Sequence, residues 1–185
     1  MLKRIIILLV VTGAVLWAIR IINVNKNDKN PIRYVGINEA VNAEGIEIIP
    51  VASAICTLDD YLVLTGLDEN EFLHSGRMNG EMIVFIRFRV RNVSPDSFNW
   101  SYVYRKLGYG FESSGWMSNS VPYYTADLNV VYGEKFEPGA ETYFWFAAGI
   151  NPVSFDAKHW NNLMNIDFYY VLDVYPNSIR VKIGN

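Results

Sequence analysis

The side chains best suited to chemistry are few in this chain of 185 residues: Cys56, His74 and His159 are its only thiol and imidazoles. Nucleophilic catalysis needs a nucleophile, a base to take its proton and donors for the developing oxyanion. Cys56 sits in Ala54-Ile-Cys-Thr57, the setting of a small buried apolar residue. His74 ends an expected short helix, where the dipole favours a cation, and His159 stands beside Trp160. The Gly-x-Ser-x-Gly, Walker A and His-Glu-x-x-His patterns are absent. Gly108-Tyr-Gly110-Phe-Glu-Ser113 approaches a dinucleotide glycine pattern. It lacks the third glycine and the following helix that would hold a pyrophosphate, so a flexible loop is expected. Two histidines and one cysteine make no zinc site without carboxylates. Asp59-Asp60 and Asp68-Glu69-Asn70-Glu71 lack the spacing of an EF-hand loop. The expectation is therefore no catalytic residue, no cofactor and no metal. A carboxylate-dependent hydrolase stays as a lesser alternative, because the separation of two carboxylates is a three-dimensional property.

Aromatic residues carry more information, at 15% of the chain. On a strand, Trp100, Tyr102 and Tyr104 would share one face, and Trp116, Tyr123 and Tyr124 fall in the Gly/Ser/Asn-rich segment 108–125. Exposed, these six rings would stack on sugars or contact a partner. Buried, they would fill the space between two sheets, as Phe144, Trp145 and Phe146 are expected to do. Asn92-Val-Ser94 and Asn99-Trp-Ser101 match the glycosylation acceptor pattern, which is common by chance.

The elements that position these residues follow from periodicity. In Met82-Ile-Val-Phe-Ile-Arg-Phe-Arg-Val-Arg-Asn92 the period is two. Met82, Val84, Ile86, Phe88 and Val90 face a core, and Arg87, Arg89 and Arg91 face water. Further strands are expected at 33–40, 45–58, 98–106, 127–132, 141–148, 167–174 and 178–183, with turns at Glu137-Pro-Gly-Ala140 and Tyr175-Pro-Asn177. Two short helices are expected. Thr65-x-x-Asp68 resembles a capping box opening Leu67–Ser75, and Asp156 would cap Ala157–Asn165, with Trp160, Leu163 and Met164 on one face. Strands at this spacing without βαβ alternation predict an antiparallel two-sheet sandwich, or else a barrel.

The N-terminus sets the address. Lys3-Arg4 precedes an apolar run from Ile5 to Ile22, broken only by Thr12, Gly13 and Arg20. At ~1.5 Å rise per residue it spans roughly 27 Å, close to the hydrocarbon thickness of a bilayer. Residues 1–22 are thus expected to form a single-pass signal-anchor. Ile5, Leu9, Leu16 and Ile22 would face lipid and Trp17 the interface. A cleaved secretory signal is the competing reading, but no A-x-A site follows. Residues 23–31 make a polar tether, and 32–185 one domain. Basic residues flank both sides of the run, so charge does not orient it. A long domain can translocate regardless of charge, and a single cysteine needs no reducing compartment, so a location outside the cytoplasm is expected. A net charge of −3 with interspersed signs excludes a nucleic-acid face.

Three stretches occur in order: "FRVRNVSPD", then "FEPGAETYFWFAA", then "FYYVLDVYPNSIRVKIGN". Behind an N-terminal anchor, this order resembles bacterial cell-surface proteins of unknown function, typical of Gram-positive species, with an immunoglobulin-like, telokin-like sandwich. The resemblance covers most of residues 34–185 and implies a fold and an extracytoplasmic address. It brings no catalytic residues. The expected role is a non-catalytic interaction or structural module contacting a surface protein; a carbohydrate-binding module for wall glycan is the alternative.

Overall fold

The computed structural model describes residues 16, 17, 19, 20, 31–68, 82–120, 124–131, 133–173 and 178–184. Its contacts divide the chain into Met1–Pro31 and Ile32–Asn185. In the first unit Leu16, Trp17, Ile19 and Arg20 are helical and exposed, and Ile5, Leu9 and Ile22 lie outside the described residues. Among the described residues no helix is long and apolar enough to cross a membrane.

The second unit is mainly β. In chain order it contains β1 (Ile32–Val35), β2 (Val41–Ala43), β3 (Ile46–Thr57), α1 (Leu58–Thr65), β4 (Met82–Asn92), β5 (Phe98–Asn99) and α2 (Trp100–Lys106). There follow β6 (Gly110–Ser113), β7 (Trp116–Ser118), β8 (Lys135–Phe136), β9 (Glu141–Ile150), α3 (Ala157–Asn161), β10 (Phe168–Asp173) and β11 (Ser178–Ile183). A five-stranded sheet, β1-β11-β10-β6-β7, lies against a four-stranded sheet, β2-β3-β4-β9, and β5 and β8 form a separate two-stranded ribbon. The core between the large sheets includes Ile48, Ile86, Phe88 and Phe144 from one, and Phe111, Phe168, Tyr170 and Val181 from the other.

A second apolar cluster explains why β4 begins with an unbroken apolar run. Ile83 and Phe85 point away from the main core, yet both are buried beneath Leu58, Tyr61 and Leu62 of α1. Beyond that cover the same face continues as Arg87, Arg89 and Arg91, so the pattern turns amphipathic where the helix stops. Arg87 instead rests on aromatic rings, its guanidinium 4.1 Å from the Tyr143 centroid and 5.3 Å from that of Trp145.

Several expectations are corrected. The sandwich is not wholly antiparallel: β1 runs parallel to β11. These strands come from opposite ends of the domain, so no hairpin fixes their direction. Among the described residues of this unit there are three α-helices, of which α3 alone was expected. Residues 98–106 are not one strand, because Asn99 caps a helix, its Oδ1 accepting from Tyr102 N at 2.8 Å. Trp100, Val103 and Leu107 then point at the core with helical spacing, which overrides the alternation of Trp100, Tyr102 and Tyr104. The expected strand 127–132 does not form over its described residues, 127–131: a 3-10 turn spans Ala126–Leu128. Asn129 substitutes for a neighbouring strand with its side chain, which accepts from Trp145 N at 2.6 Å and donates to Trp145 O at 2.8 Å. Ser120 bonds Ala147 in the same way at 3.1 and 3.2 Å. Together they cover the otherwise free edge of β9, where another chain could pair.

Thr65 does not open a helix. It is the last residue of α1, which Gly66 terminates in the left-handed conformation at φ 71°. The N-cap is Thr57: its Oγ1 accepts from Asp60 N at 3.1 Å and donates to the Asp60 carboxylate at 2.7 Å. The expected helix 67–75 falls from residue 69 onward outside the described residues. Thr57→Ala is expected to cost about 1 kcal/mol. Urea unfolding would register it as a lower midpoint at unchanged slope. Asp156 caps α3 as anticipated, with Oδ1 accepting from His159 N at 2.9 Å. A 3-10 turn over Leu163–Asn165 then ends it.

Candidate functional site

Of the residues that sequence singles out for chemistry, Cys56 and His159 are described, and each sits in its own local environment. Cys56 lies on the face of β3 packed against the second cluster, and burial, then the Asp60 charge, pushes its thiol up to about 11. At neutral pH it is a protonated, poorly nucleophilic group. Its alkylation at pH 8 is expected to be on the order of 100-fold slower than in the denatured chain; equal rates would contradict the assigned burial. His159 Nδ1 pairs with its own capping residue, 2.6 Å from Asp156 Oδ2, and His74 lies outside the described residues. Among the described residues no three of His, Cys, Asp and Glu gather as metal ligands.

Gly108 and Gly110 serve packing. A Cβ on Gly110 would meet Ser118 O at 2.4 Å, and one on Gly108 would meet Val171 O at 2.5 Å. The glycines that mimic a nucleotide motif thus let β7 and β10 approach closely. The 108–125 segment, expected as a flexible loop, holds the β6–β7 hairpin, whose Ser114-Gly115 turn has φ 34° and 85°.

The six candidate aromatic contacts separate by environment. Tyr124 is 1% exposed, edge-on to Tyr61, and its carbonyl accepts from Tyr61 Oη at 2.9 Å. Its ring is therefore core and not a contact surface. Trp100 packs on Phe136 and Phe144 and donates from Nε1 to Gly133 O at 3.0 Å. Tyr104 meets Phe144 edge-on and is partly exposed. Trp116 is half-buried between Phe155 and Phe168. Tyr102 stacks on Phe98 at 4.8 Å. Tyr123 lies outside the described residues.

Two openings among the described residues bear on a binding site. The first, about 370 Å³, lies beside the β2–β3 turn and α2 and includes Asn42, Glu44, Arg105, Lys106, Tyr109 and Asp173 in its walls. Its charges are largely spent internally. Glu44 Oε2 holds Lys106 Nζ at 3.0 Å and accepts from Tyr102 Oη at 3.0 Å. Lys106, then Tyr102, keeps the Glu44 carboxyl below its ordinary value. Glu44 occupies the left-handed region at φ 53° ahead of Gly45, a position at which side chains other than Gly, Asn or Asp are uncommon.

The second opening, about 350 Å³, is a groove on the outer face of the five-stranded sheet. Its walls are Glu112, Ser113, Ser114, Gly115, Trp116, Met117, Tyr169 and Arg180. Strand register creates it: Glu112 stands opposite both Met117 and Tyr169, and Tyr169 opposite Lys182. Arg180 grips Glu112 through Nε, 2.8 Å from Oε1, and through Nη2, which donates to Oε2 at 3.4 Å. The Nε approach is off-line, leaving that buried donor without a hydrogen-bond acceptor. Lys182 Nζ lies 2.6 Å from Asp167 Oδ1. Burial, then the Asp167 charge, raises the Tyr169 phenol. Tyr34, opposite Arg180 on β1, places its ring 5.5 Å from that of Tyr169 at 49°. Tyr34 is 55% exposed and Met117 75%. Sequence reading misses this group, because its members sit one or two per strand and become neighbours only through pairing.

No family model matches the chain, and no curated protein matches it. Two solved structures are similar to it. A conserved hypothetical protein from Bacillus anthracis is 10% identical at a TM-score of 0.49, over 80% of this chain and 94% of the other. An uncharacterized beta-sandwich protein from Clostridium difficile 630 is 11% identical at a TM-score of 0.49, over 84% of this chain and 96% of the other.

Proposed function

We propose that this protein is a non-catalytic binding module, anchored in a membrane by its N-terminal segment and working outside the cytoplasm. Its outer five-stranded face meets an external partner. The observation that carries this reading is the exposed Tyr34 and Met117, with the half-buried Tyr169 on a strand between theirs, on a sandwich surface that is ordinarily polar. The opposite sheet hides its outward Ile83 and Phe85 beneath α1; nothing described covers the tyrosines. The apolar run Ile5–Ile22 supports the anchor. The order β11-β10-β6-β7 follows the G-F-C-C′ run of an immunoglobulin variable-type sheet. That supports an immunoglobulin-like sandwich in which β4 is inserted between β3 and β9.

Site-specific photo-cross-linking on intact cells tests the contact face. A cross-linker at position 117 should yield a discrete product that Tyr34→Ser removes. One at Val153, exposed beyond β9, should yield none. Identical patterns at the two positions would refute the reading.

A further inference from the structure

We infer that the groove between the β6–β7 hairpin and Tyr169 is a sugar-binding site for a neutral oligosaccharide, an assignment that rests on the outer face being the contact face. Its volume, about 350 Å³, lies at the small end of ligand pockets and suits one or two sugar rings. The walls supply both surfaces that a sugar presents. Tyr169 and the neighbouring Tyr34 offer ring faces to its apolar C–H side. Arg180 and Glu112 offer fixed donors and acceptors to its hydroxyls.

Charge selects among occupants. Arg180 is balanced by Glu112 and Lys182 by Asp167, so the groove holds no surplus sign to recruit an acidic or a basic chain. An apolar helix laid across it would strip water from the Arg180–Glu112 pair without restoring hydrogen bonds, which is unfavourable. Hydroxyl groups restore them. Tyr34, Glu112, Tyr169, Arg180 and Lys182 stand on paired strands, so little ordering accompanies binding.

The test uses the full chain in detergent micelles with 13C-methyl methionine. It is titrated with neutral tetrasaccharides of glucose, galactose, mannose and N-acetylglucosamine, and with polyglutamate and polylysine as charged controls. At least one tetrasaccharide should shift the Met117 methyl signal saturably and leave that of Met164 in place. Tyr169→Ala should weaken the interaction by about tenfold or more. Tyr34→Ala, on an exposed edge strand, should do the same even if Tyr169→Ala unfolds. Arg180→Lys, which keeps the charge and loses the planar fork, should also weaken it. A Met117 signal unmoved by every sugar, moved only by a charged control, or moved equally in the Tyr34→Ala variant would overturn the assignment. A specific cross-link at 117 alongside silence from all sugars would remove the sugar and keep the contact face; loss of both removes both.

Discussion

Phe88→Ala is expected to destabilise the domain by about 3–5 kcal/mol. Phe88 is fully buried on β4, and its ring joins the two sheets. It lies 6.0 Å from Phe146 on its own sheet and 5.3 Å from Tyr170 on the other. Tyr170 in turn meets Phe111 edge-on at 5.0 Å and Phe146 at 5.4 Å. Removing Phe88 leaves a void beside the rings of Phe146 and Tyr170, and rigid strands on both sides cannot collapse into it. At roughly 2–4 °C per kcal/mol for a chain of this size, the melting temperature should fall by about 10 °C. A loss under ~1 kcal/mol would mean that the sheets do not pack through this ring.

Asn92→Ala is expected to cost about 2–4 kcal/mol, through three lost hydrogen bonds and backbone groups left without partners. Asn92 ends β4 fully buried. Its Nδ2 donates to Asp96 O at 2.8 Å and to Phe136 O at 2.9 Å, while Oδ1 accepts from Ser94 N at 2.9 Å. One carboxamide therefore shapes the 92–96 bend and fastens β8 to it. It also means that the acceptor pattern at Asn92 is occupied by structure. Asn92→Asp, equal in size but unable to donate when ionised, should unfold at least as readily as the alanine variant. Recovery of most of the stability in Asn92→Asp would show that volume, not hydrogen bonding, matters there.

Legibility from sequence tracked how local the cause was. β4 was readable because alternation and the turn that bounds it lie within the segment itself; the turn expected at 175–177 lies outside the described residues. The cap at Asp156 was readable for the same reason. The helix at 100–106 was not, since Trp100, Tyr102 and Tyr104 satisfy a strand pattern while Trp100, Val103 and Leu107 satisfy a helical one, and the Asn99 cap decides between them. The wholly antiparallel expectation failed at β1, whose partner stands at the far end of the domain. Of the aromatic rings that the sequence singles out, some pack inside the fold. Tyr124 entered the second cluster and Trp116 wedged against Phe155 and Phe168. Tyr34 and Tyr169, separated by most of the domain in sequence, came together through the β1-β11-β10 order.

The central claim, that the Tyr34–Tyr169–Met117 face is occupied where the protein works, is tested most directly by methionine oxidation. Purified protein and intact cells would be treated with the same dose of peroxide and the sulfoxide at each methionine measured. Met117 should oxidise several-fold more slowly on cells than in the purified protein, with Met164 unchanged between the two. Equal Met117 rates in both settings would contradict the account.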